Sequence, residues 1–268
     1  MTQRRLALVT GASAGIGEEI ARVYAAKGFD LALTARRKDR LEALGDDLGQ
    51  RFGISSYSVV ADLAEPGASD AIIAAIEETG RSVDVLVNNA GYGLPGTYLN
   101  TTWEEQAAFL TVLLTAPAEL THKLLPAMVG RGWGRVVNIA SLAGMTPGSN
   151  GHTLYAAVKA AMIKFSESLN AELDGTGVHA TAVCPGFTYS EFHDVNGTRN
   201  MVSETPKWLW QTAREVAEEA YDASEMNRSV VVTGRGSKGV ATVVKLLPDP
   251  IARMMMRSQS ARFRKTDA

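Results

Sequence analysis

A tyrosine and a lysine one helical turn apart are the pairing in this sequence best suited to acid–base chemistry. Of the seven tyrosines, only Tyr155 is followed four residues later by a lysine, Lys159. Residues i and i+4 share one face of a helix, so the two side chains meet if the segment is helical. A free phenol titrates near pH 10, too high for efficient proton exchange at neutral pH. A neighbouring ammonium favours the phenolate and is expected to draw the value down, at about 1.4 kcal/mol per unit. Ser141 stands fourteen residues before Tyr155, just after the apolar run Arg135–Ile139. At the end of a strand in an open parallel sheet it faces the ligand crevice, where its hydroxyl can hold a carbonyl or alcohol oxygen. Each residue alone has an ordinary reading: an exposed tyrosine, a surface lysine, a loop serine. Together they form an acid–base site.

A second constellation lies near the N-terminus. The run Leu6–Val9 leads directly into Thr10-Gly11-Ala12-Ser13-Ala14-Gly15-Ile16-Gly17, and a helical pattern follows. Glycines at a strand-to-helix turn let a phosphate approach the backbone, and the helix N-terminus offers unpaired amides and a positive dipole end. A dinucleotide pyrophosphate fits such a turn, held by Gly11, Ser13, Ala14, Gly15, Ile16 and Gly17. The same residues also match the G-x-S-x-G elbow that exposes a nucleophilic serine, here Ser13. That elbow rests on a preceding sheet, and Ser13 follows only the first strand; the elbow also leaves Gly17 unexplained. NAD-binding folds place an acidic residue about 20 positions further on to bind the ribose 2′-hydroxyl. Here that place reads Thr34-Ala35-Arg36-Arg37-Lys38, with no carboxylate before Asp39. Cations are disfavoured at a helix N-terminus, so the cluster expects an anion. Arg36 and Arg37 are suited to grip a 2′-phosphate in two-point fashion, which predicts NADP(H) as cofactor in preference to NAD(H).

These side chains need a scaffold, and the sequence supplies an alternating one. Apolar runs suited to strands recur at Leu6–Val9, Leu31–Thr34, Tyr57–Val60, Val83–Val87, Arg135–Ile139, Ala180–Val183 and Val230–Thr233. Helical periodicity fills the intervals: Gly15–Lys27, Lys38–Gln50, Ala68–Thr79, Trp103–Met128, Leu154–Leu173 and Arg214–Ala223. Strand and helix in alternation predict an α/β fold, a Rossmann-like doubly wound parallel sheet of about seven strands with helices on both faces. With no repeat, low-complexity tract or linker, residues 1–268 read as a single domain for cofactor and catalysis. Pro117 inside the fourth helical stretch predicts a kink, and Thr212-Ala213-Arg214-Glu215 reads as a capping box. The stretch Phe187–Gln211 is too long for an ordinary connection and is read as a substrate loop. Its aromatic residues Phe187, Tyr189, Phe192, Trp208 and Trp210, with Met201, suit either an apolar pocket wall or packing of the loop onto the body. The tail over 250–268 has five Arg or Lys after Pro250 and three consecutive methionines, and reads as a terminal helix or a disordered end.

Composition narrows the classes further. Twenty-seven basic residues against 29 acidic ones give a net charge of −2, which argues against a nucleic-acid binder. One cysteine, Cys184, excludes an internal disulfide and a cysteine-rich metal site. No apolar run approaches the roughly 18 residues of a membrane span, and the N-terminal run is too short for a signal-peptide core, so a cytoplasmic location is expected. The histidines, His122, His152, His179 and His193, show no metal-ligand spacing; His152 and His193 could border substrate, though packing or solvent roles are the simpler reading.

Taken with their order and spacing, these motifs resemble the short-chain dehydrogenase/reductase family from about Leu6 to Thr233. TGASAGIG at 10–17 is similar to its cofactor turn, Asp62-Leu63 to its adenine-contacting pair, and Asn88-Asn89-Ala90-Gly91 to its NNAG motif. Ser141, Tyr155 and Lys159 match its serine and YxxxK signature. Cys184-Pro185-Gly186 resembles the turn near the nicotinamide, Thr188 falls where members bind the carboxamide, and Asn138 lies in the strand before the serine. The resemblance implies Tyr155 as general acid/base, Lys159 lowering its pKa and binding the nicotinamide ribose, and Ser141 positioning substrate. It implies cofactor contacts from Asp62, Leu63, Asn89, Ala90, Gly91, Pro185, Gly186 and Thr188 as well. It also implies a homodimer or homotetramer, with Ala156, Ala157, Ala160 and Ala161 as a close-packing face. One position departs: Leu113 stands where many members carry a relay asparagine, and leucine has no hydrogen-bonding group. The expected activity is an NADP(H)-dependent oxidoreductase interconverting a carbonyl and a secondary alcohol, on a fairly apolar small-molecule substrate, with steroid, acyl-thioester, sugar and xenobiotic ketones all open. The alternative is a non-catalytic NADP(H)-sensing protein on the same fold, which Leu113 alone favours.

Overall fold

The computed structural model describes residues 3–94, 97–148, 153–191, 205–248 and 250–254. Seven strands form one parallel sheet: β1 (Leu6–Thr10), β2 (Asp30–Ala35), β3 (Ser56–Val60), β4 (Val85–Asn88), β5 (Gly134–Ile139), β6 (Val178–Cys184) and β9 (Val230–Val232). Their order is β3-β2-β1-β4-β5-β6-β9, so the chain winds outward from β1 in one direction, then from β4 in the other. The topological switch falls between β1 and β4, the place where an open α/β sheet forms its ligand crevice. β7 (Thr188–Tyr189) and β8 (Gln211–Thr212) pair separately, with Thr188 opposite Gln211, and so pin the two ends of the Phe187–Gln211 segment together.

The strands read as continuous apolar runs because both faces of the sheet are covered. In β1, Leu6 and Leu8 face one apolar cluster, which also takes Leu86, Val136, Ile72, Phe109 and Met162. Ala7 and Val9 face the other, with Ile20, Leu41, Val87, Val137 and Val216. Helices α3 (Ala68–Glu77), α4 (Trp103–Leu110), α5 (Ala116–Gly130) and α6 (Thr153–Glu172) cover the first face. Helices α1 (Gly15–Ala26), α2 (Lys38–Phe52) and α7 (Ala213–Glu225) cover the second. β3 is an edge strand, and its Val60 is correspondingly exposed.

One local expectation is realised, and at the second, the kink at Pro117, the structure has a π turn. Thr212 caps α7: its hydroxyl accepts from the Glu215 amide while the Glu215 carboxylate accepts from the Thr212 amide. The long helical stretch is broken at Thr111–Thr115 by a π turn, in which the amide of Ala116 reaches the carbonyl of Thr111. Pro117 follows immediately and has no N–H to give to the carbonyl of Leu113, four residues back. A further helix, α8 (Arg235–Leu246), falls where no helical pattern was read.

Candidate functional site

Four strand ends converge on the crevice. β1 delivers the glycine turn, β4 delivers Asn88–Gly91, β5 delivers Ser141, and β6 delivers Pro185–Thr188. β1 and β4 are locked together at their tips. The Thr10 hydroxyl donates to the carbonyl of Val87 at 3.1 Å and accepts from the amides of Asn89 and Ala90 at 2.9 and 3.0 Å. The Asn89 side-chain amide returns a hydrogen bond of 2.9 Å to the carbonyl of Thr10. This clasp explains part of the glycine pattern: Gly11 has φ of +66°, and a Cβ there would stand 2.8 Å from the Cα of Ala90. A Cβ on Gly17 would overlap the Asn89 side chain. Glycine is therefore required for close packing as well as for backbone conformation.

The residues of the turn also fit a dinucleotide. Helix α1 begins at Gly15 with Ala14 as its N-cap, and no side chain caps it. Its first amides and its dipole are thus left to an anion. Ser13 is not poised as a nucleophile: its Oγ accepts from Nε and Nη2 of Arg37 at 3.1 and 3.0 Å, and a guanidinium does not take up a proton. Arg36 turns instead toward Asp62, at 3.6 Å. Asp62 also accepts from the amide of Ala64 at 3.0 Å, and Leu63 beside it is buried.

Ser141, Tyr155 and Lys159 come together as expected. Ser141 opens a short 3₁₀ turn, Leu142–Gly144, and its Oγ accepts from the amide of Ala143 at 3.1 Å. The same hydroxyl is hydrogen-bonded to that of Tyr155. Lys159 is buried, with Nζ 5.7 Å from the Tyr155 ring centroid and donating to the carbonyl of Ile139 at 2.7 Å. Burial pushes the Lys159 ammonium down to about 8, with the neighbouring Cys184 thiol opposing it. The expected lowering of Tyr155 by Lys159 is not what the geometry produces. Burial raises the phenol above its ordinary value, and the opposing influence is the Ser141 hydrogen bond. Lys159 is turned to a backbone carbonyl, and its own charge is discouraged by the same burial. Cys184, also buried, is pushed up to about 12.

Behind this site lies a buried polar chain. The Asn88 amide donates to Oδ1 of Asn138 at 2.8 Å, and Asn138 donates to Oγ of Ser166 at 2.9 Å. Ser166 in turn donates to the carbonyl of Met162 at 2.8 Å. The chain ties β4 and β5 to α6, the helix that carries Tyr155 and Lys159. On β6, the carbonyl of Pro185 accepts from the amide of Leu142 at 2.9 Å, which brings the Pro185–Gly186 turn against the serine turn. The Thr188 hydroxyl, however, donates to the carbonyl of Gly186 at 3.1 Å. Leu113 is buried within the π turn, and a Cβ on Gly91 would meet its Cγ at 3.4 Å.

Sequence reasoning missed three contributors. Gly144 lets α6 cross the serine turn: a Cβ there would lie 2.6 Å from the carbonyl carbon of Lys159. Arg40 and Glu191 form an ion pair of 2.7 Å beside Arg37. Among the described residues, three of the loop aromatics pack on one another: Trp210 stacks on Tyr189 at 4.6 Å between centroids and lies 5.6 Å from Phe187. Trp208 is exposed. Phe192, Met201, His152, His193 and the tail from 255 onward lie outside the described residues. His122 is exposed, and His179 Nδ1 is 3.1 Å from the carbonyl of Ser224. Among the described residues, no group of His, Cys, Asp and Glu is placed to hold a metal, and no helix is long and apolar enough to cross a membrane.

A parallel sheet with a glycine turn at its switch point, and a serine, tyrosine and lysine gathered at the adjoining strand ends, defines the short-chain dehydrogenases, and the chain belongs to that family: the family model matches residues 5–200. Nodulation protein G of Rhizobium sp. (strain N33) is 38% identical over 235 residues, spanning 86% of this chain and 93% of its own length. A short-chain dehydrogenase from Sphingobium yanoikuyae, solved with NADPH, is similar at a TM-score of 0.79 and 31% identity over 98% of both chains. L-Sorbose reductase from Gluconobacter frateurii, solved with NADPH and L-sorbose, is similar at a TM-score of 0.75 and 26% identity, over 87% of this chain and 97% of that one.

Proposed function

We propose that the protein is an NADP(H)-dependent oxidoreductase that interconverts a carbonyl compound and a secondary alcohol. The observation that carries the reading is the hydrogen-bonded Ser141–Tyr155 pair, with Lys159 one turn along the same helix. In the reduction direction Tyr155 is the general acid. A half-buried phenol that keeps its proton is in the form needed to give it to a carbonyl oxygen. Ser141 Oγ, already turned to Tyr155, holds that oxygen in place. Lys159 places a cation beside the phenol and binds the cofactor ribose. Gly11 to Gly17 hold the pyrophosphate, Arg37 with Arg36 beside it receives the 2′-phosphate, and Asp62 and Leu63 face the adenine. Asn89, Ala90, Gly91, Pro185, Gly186 and Thr188 border the nicotinamide half. The nicotinamide supplies or accepts the hydride when bound.

The stretch Thr34-Ala35-Arg36-Arg37-Lys38 at the end of β2, where NAD-binding folds carry an acidic residue, has none, which supports NADP(H) over NAD(H). So do the two family members solved with NADPH. Copies of the chain are proposed to pair through α6, which carries Ala157 on its exposed side. The decisive experiment follows NADPH oxidation against a panel of ketones, with Tyr155→Phe as control. Turnover lost in the variant with NADPH binding retained supports the enzyme. NADPH binding by the wild type with no turnover on any carbonyl class would instead support a sensor.

A further inference from the structure

Glu191 follows β7 by two residues, yet its carboxylate sits at the start of α2. Arg37 Nη1 donates to its Oε2 at 3.0 Å, and Arg40 Nη1 donates to its Oε1 at 2.7 Å. Arg37 holds Ser13 Oγ with its other nitrogens, so one guanidinium joins the glycine turn to the carboxylate. The residue before Glu191 lies against that turn as well: a Cβ on Gly15 would stand 3.1 Å from the Cβ of Ser190. Arg36 is drawn away to Asp62, which leaves Arg40 as the second arm beside Arg37. An anion with two oxygens is thus already seated between two guanidiniums. The side chains remain 42%, 47% and 43% exposed for Arg37, Arg40 and Glu191, so a solute can reach them.

We propose that Arg37 and Arg40 form a two-guanidinium clamp for the cofactor's 2′-phosphate, and that Glu191 is an internal competitor for that clamp which sets the affinity for the phosphorylated cofactor. The inference rests on the NADP(H) reading above, puts Arg40 in the place given there to Arg36, and adds Glu191. A phosphate monoester brings about −1.5 to −2 charges and three acceptor oxygens. A carboxylate brings one charge and two oxygens, so the phosphate can displace it. A ribose 2′-hydroxyl brings no charge and leaves both ion pairs standing. The carboxylate therefore opposes NADPH and is indifferent to NADH.

The test is equilibrium titration of the full chain with NADPH and with NADH, for the wild type, Glu191→Gln, Arg40→Gln and the double variant. Glu191→Gln is expected to tighten NADPH by roughly three- to tenfold, the scale of exposed ion pairs, and to leave NADH within about twofold. Arg40→Gln is expected to weaken NADPH by about tenfold without affecting NADH. The gain from Glu191→Gln shrinks in that background, because one arm of the clamp is gone. The proposal is overturned if Glu191→Gln leaves NADPH binding unchanged or weakens it, since the carboxylate would then be orienting the arginines. It is equally overturned if NADH tightens in parallel. The cofactor preference fails separately, if wild-type protein binds NADH as tightly as NADPH; a selective response of NADPH to Glu191→Gln would uphold the clamp even then.

Discussion

Lys159 donates its Nζ hydrogen bond of 2.7 Å to the main-chain carbonyl of Ile139, two residues before Ser141. The lysine therefore fastens α6 to the end of β5, and the tyrosine one turn earlier is held against the serine by the same fastening. A charge committed in this way is costly when buried, and burial lowers Lys159 to about 8.

The pH dependence follows from the direction of that shift. Lys159 is a cation below about pH 8 and loses its proton as the pH rises through that value. In free enzyme, kcat/KM for NADPH is expected to be flat through neutrality and to fall above pH 8, since that profile reports groups of the cofactor-free protein. Lys159→Arg keeps its charge throughout, so its profile, at a lower absolute rate, should lack this limb. A wild-type profile still flat at pH 9.5 would refute the assignment.

Lys159 also affects stability, with the opposite sign to its use. Its folded-state value lies below the 10.5 of a free lysine. Its charged form is therefore a cost to folding that is fully present below about pH 8 and relieved as the pH rises towards 10.5. Lys159→Met removes the buried charge. At pH 7 the variant is expected to gain up to about 3 kcal/mol, less what is lost with the Ile139 hydrogen bond, and to have no turnover. Thermal denaturation at pH 7 checks the sign: a lower Tm than wild type would show that the hydrogen bond outweighs the charge.

Tyr155→Phe removes one hydroxyl while keeping the ring in place. Turnover should fall by about 10²–10⁴-fold, the usual contribution of a positioned general acid. Steady-state rates with NADPH titrated in parallel make the comparison. Unchanged turnover would mean that the proton comes from elsewhere.

How much of this was legible in the sequence depends on the range of the cause. The strands declared themselves because burial on both faces makes them continuously apolar, as Leu6–Val9 and Val85–Val87 show. The Thr212–Glu215 box was legible because both partners lie within one turn. The Tyr155–Lys159 spacing was local too. Helix α8 was not: Gly236, Gly239 and the β-branched Val240, Thr242, Val243 and Val244 weigh against a helix locally, and burial of Ser237 and Val244 overrides them. The Glu191–Arg40 pair joins residues 151 positions apart, and no periodicity announces it. The sign of the Tyr155 shift is hidden from the sequence for a similar reason. The i+4 rule gives the neighbour, whereas the depth of burial and the carbonyl that Lys159 chooses are set by the packing of α6 on β5.

The buried polar chain behind the site should behave as a unit. Asn138→Ala takes away the short acceptor of the Asn88 amide, which keeps only longer bonds to the Pro117 carbonyl and the Thr121 hydroxyl at 3.4 and 3.3 Å, and removes the donor to Ser166, which still donates to Met162. A loss of about 2–4 kcal/mol is expected, beyond the effect of a single hydrogen bond. Ser166→Ala, which removes only the far end, should cost about 1 kcal/mol. Denaturant unfolding of the two variants gives the comparison; equal losses would show that the chain is not cooperative.

Gly144 offers a test of how far the reactive groups depend on helix placement. It contacts neither the tyrosine hydroxyl nor the lysine amine, but a Cβ on it would lie 2.6 Å from the carbonyl carbon of Lys159 and 2.7 Å from the nitrogen of Ala160. These are backbone atoms, so relief requires the helix and the serine turn to move apart. Gly144→Ala should therefore destabilise by about 1–3 kcal/mol, as overpacking does. It should also lower kcat by about 10²-fold, because a shift of the order of 1 Å separates Ser141 from Tyr155. NADPH affinity should change far less, since the glycine turn is on β1. Moving the serine turn rather than α6 would instead leave the Lys159–Ile139 bond intact, and the pH limb near 8 would survive in the variant. Loss of both rate and limb together identifies the helix as the part that gives.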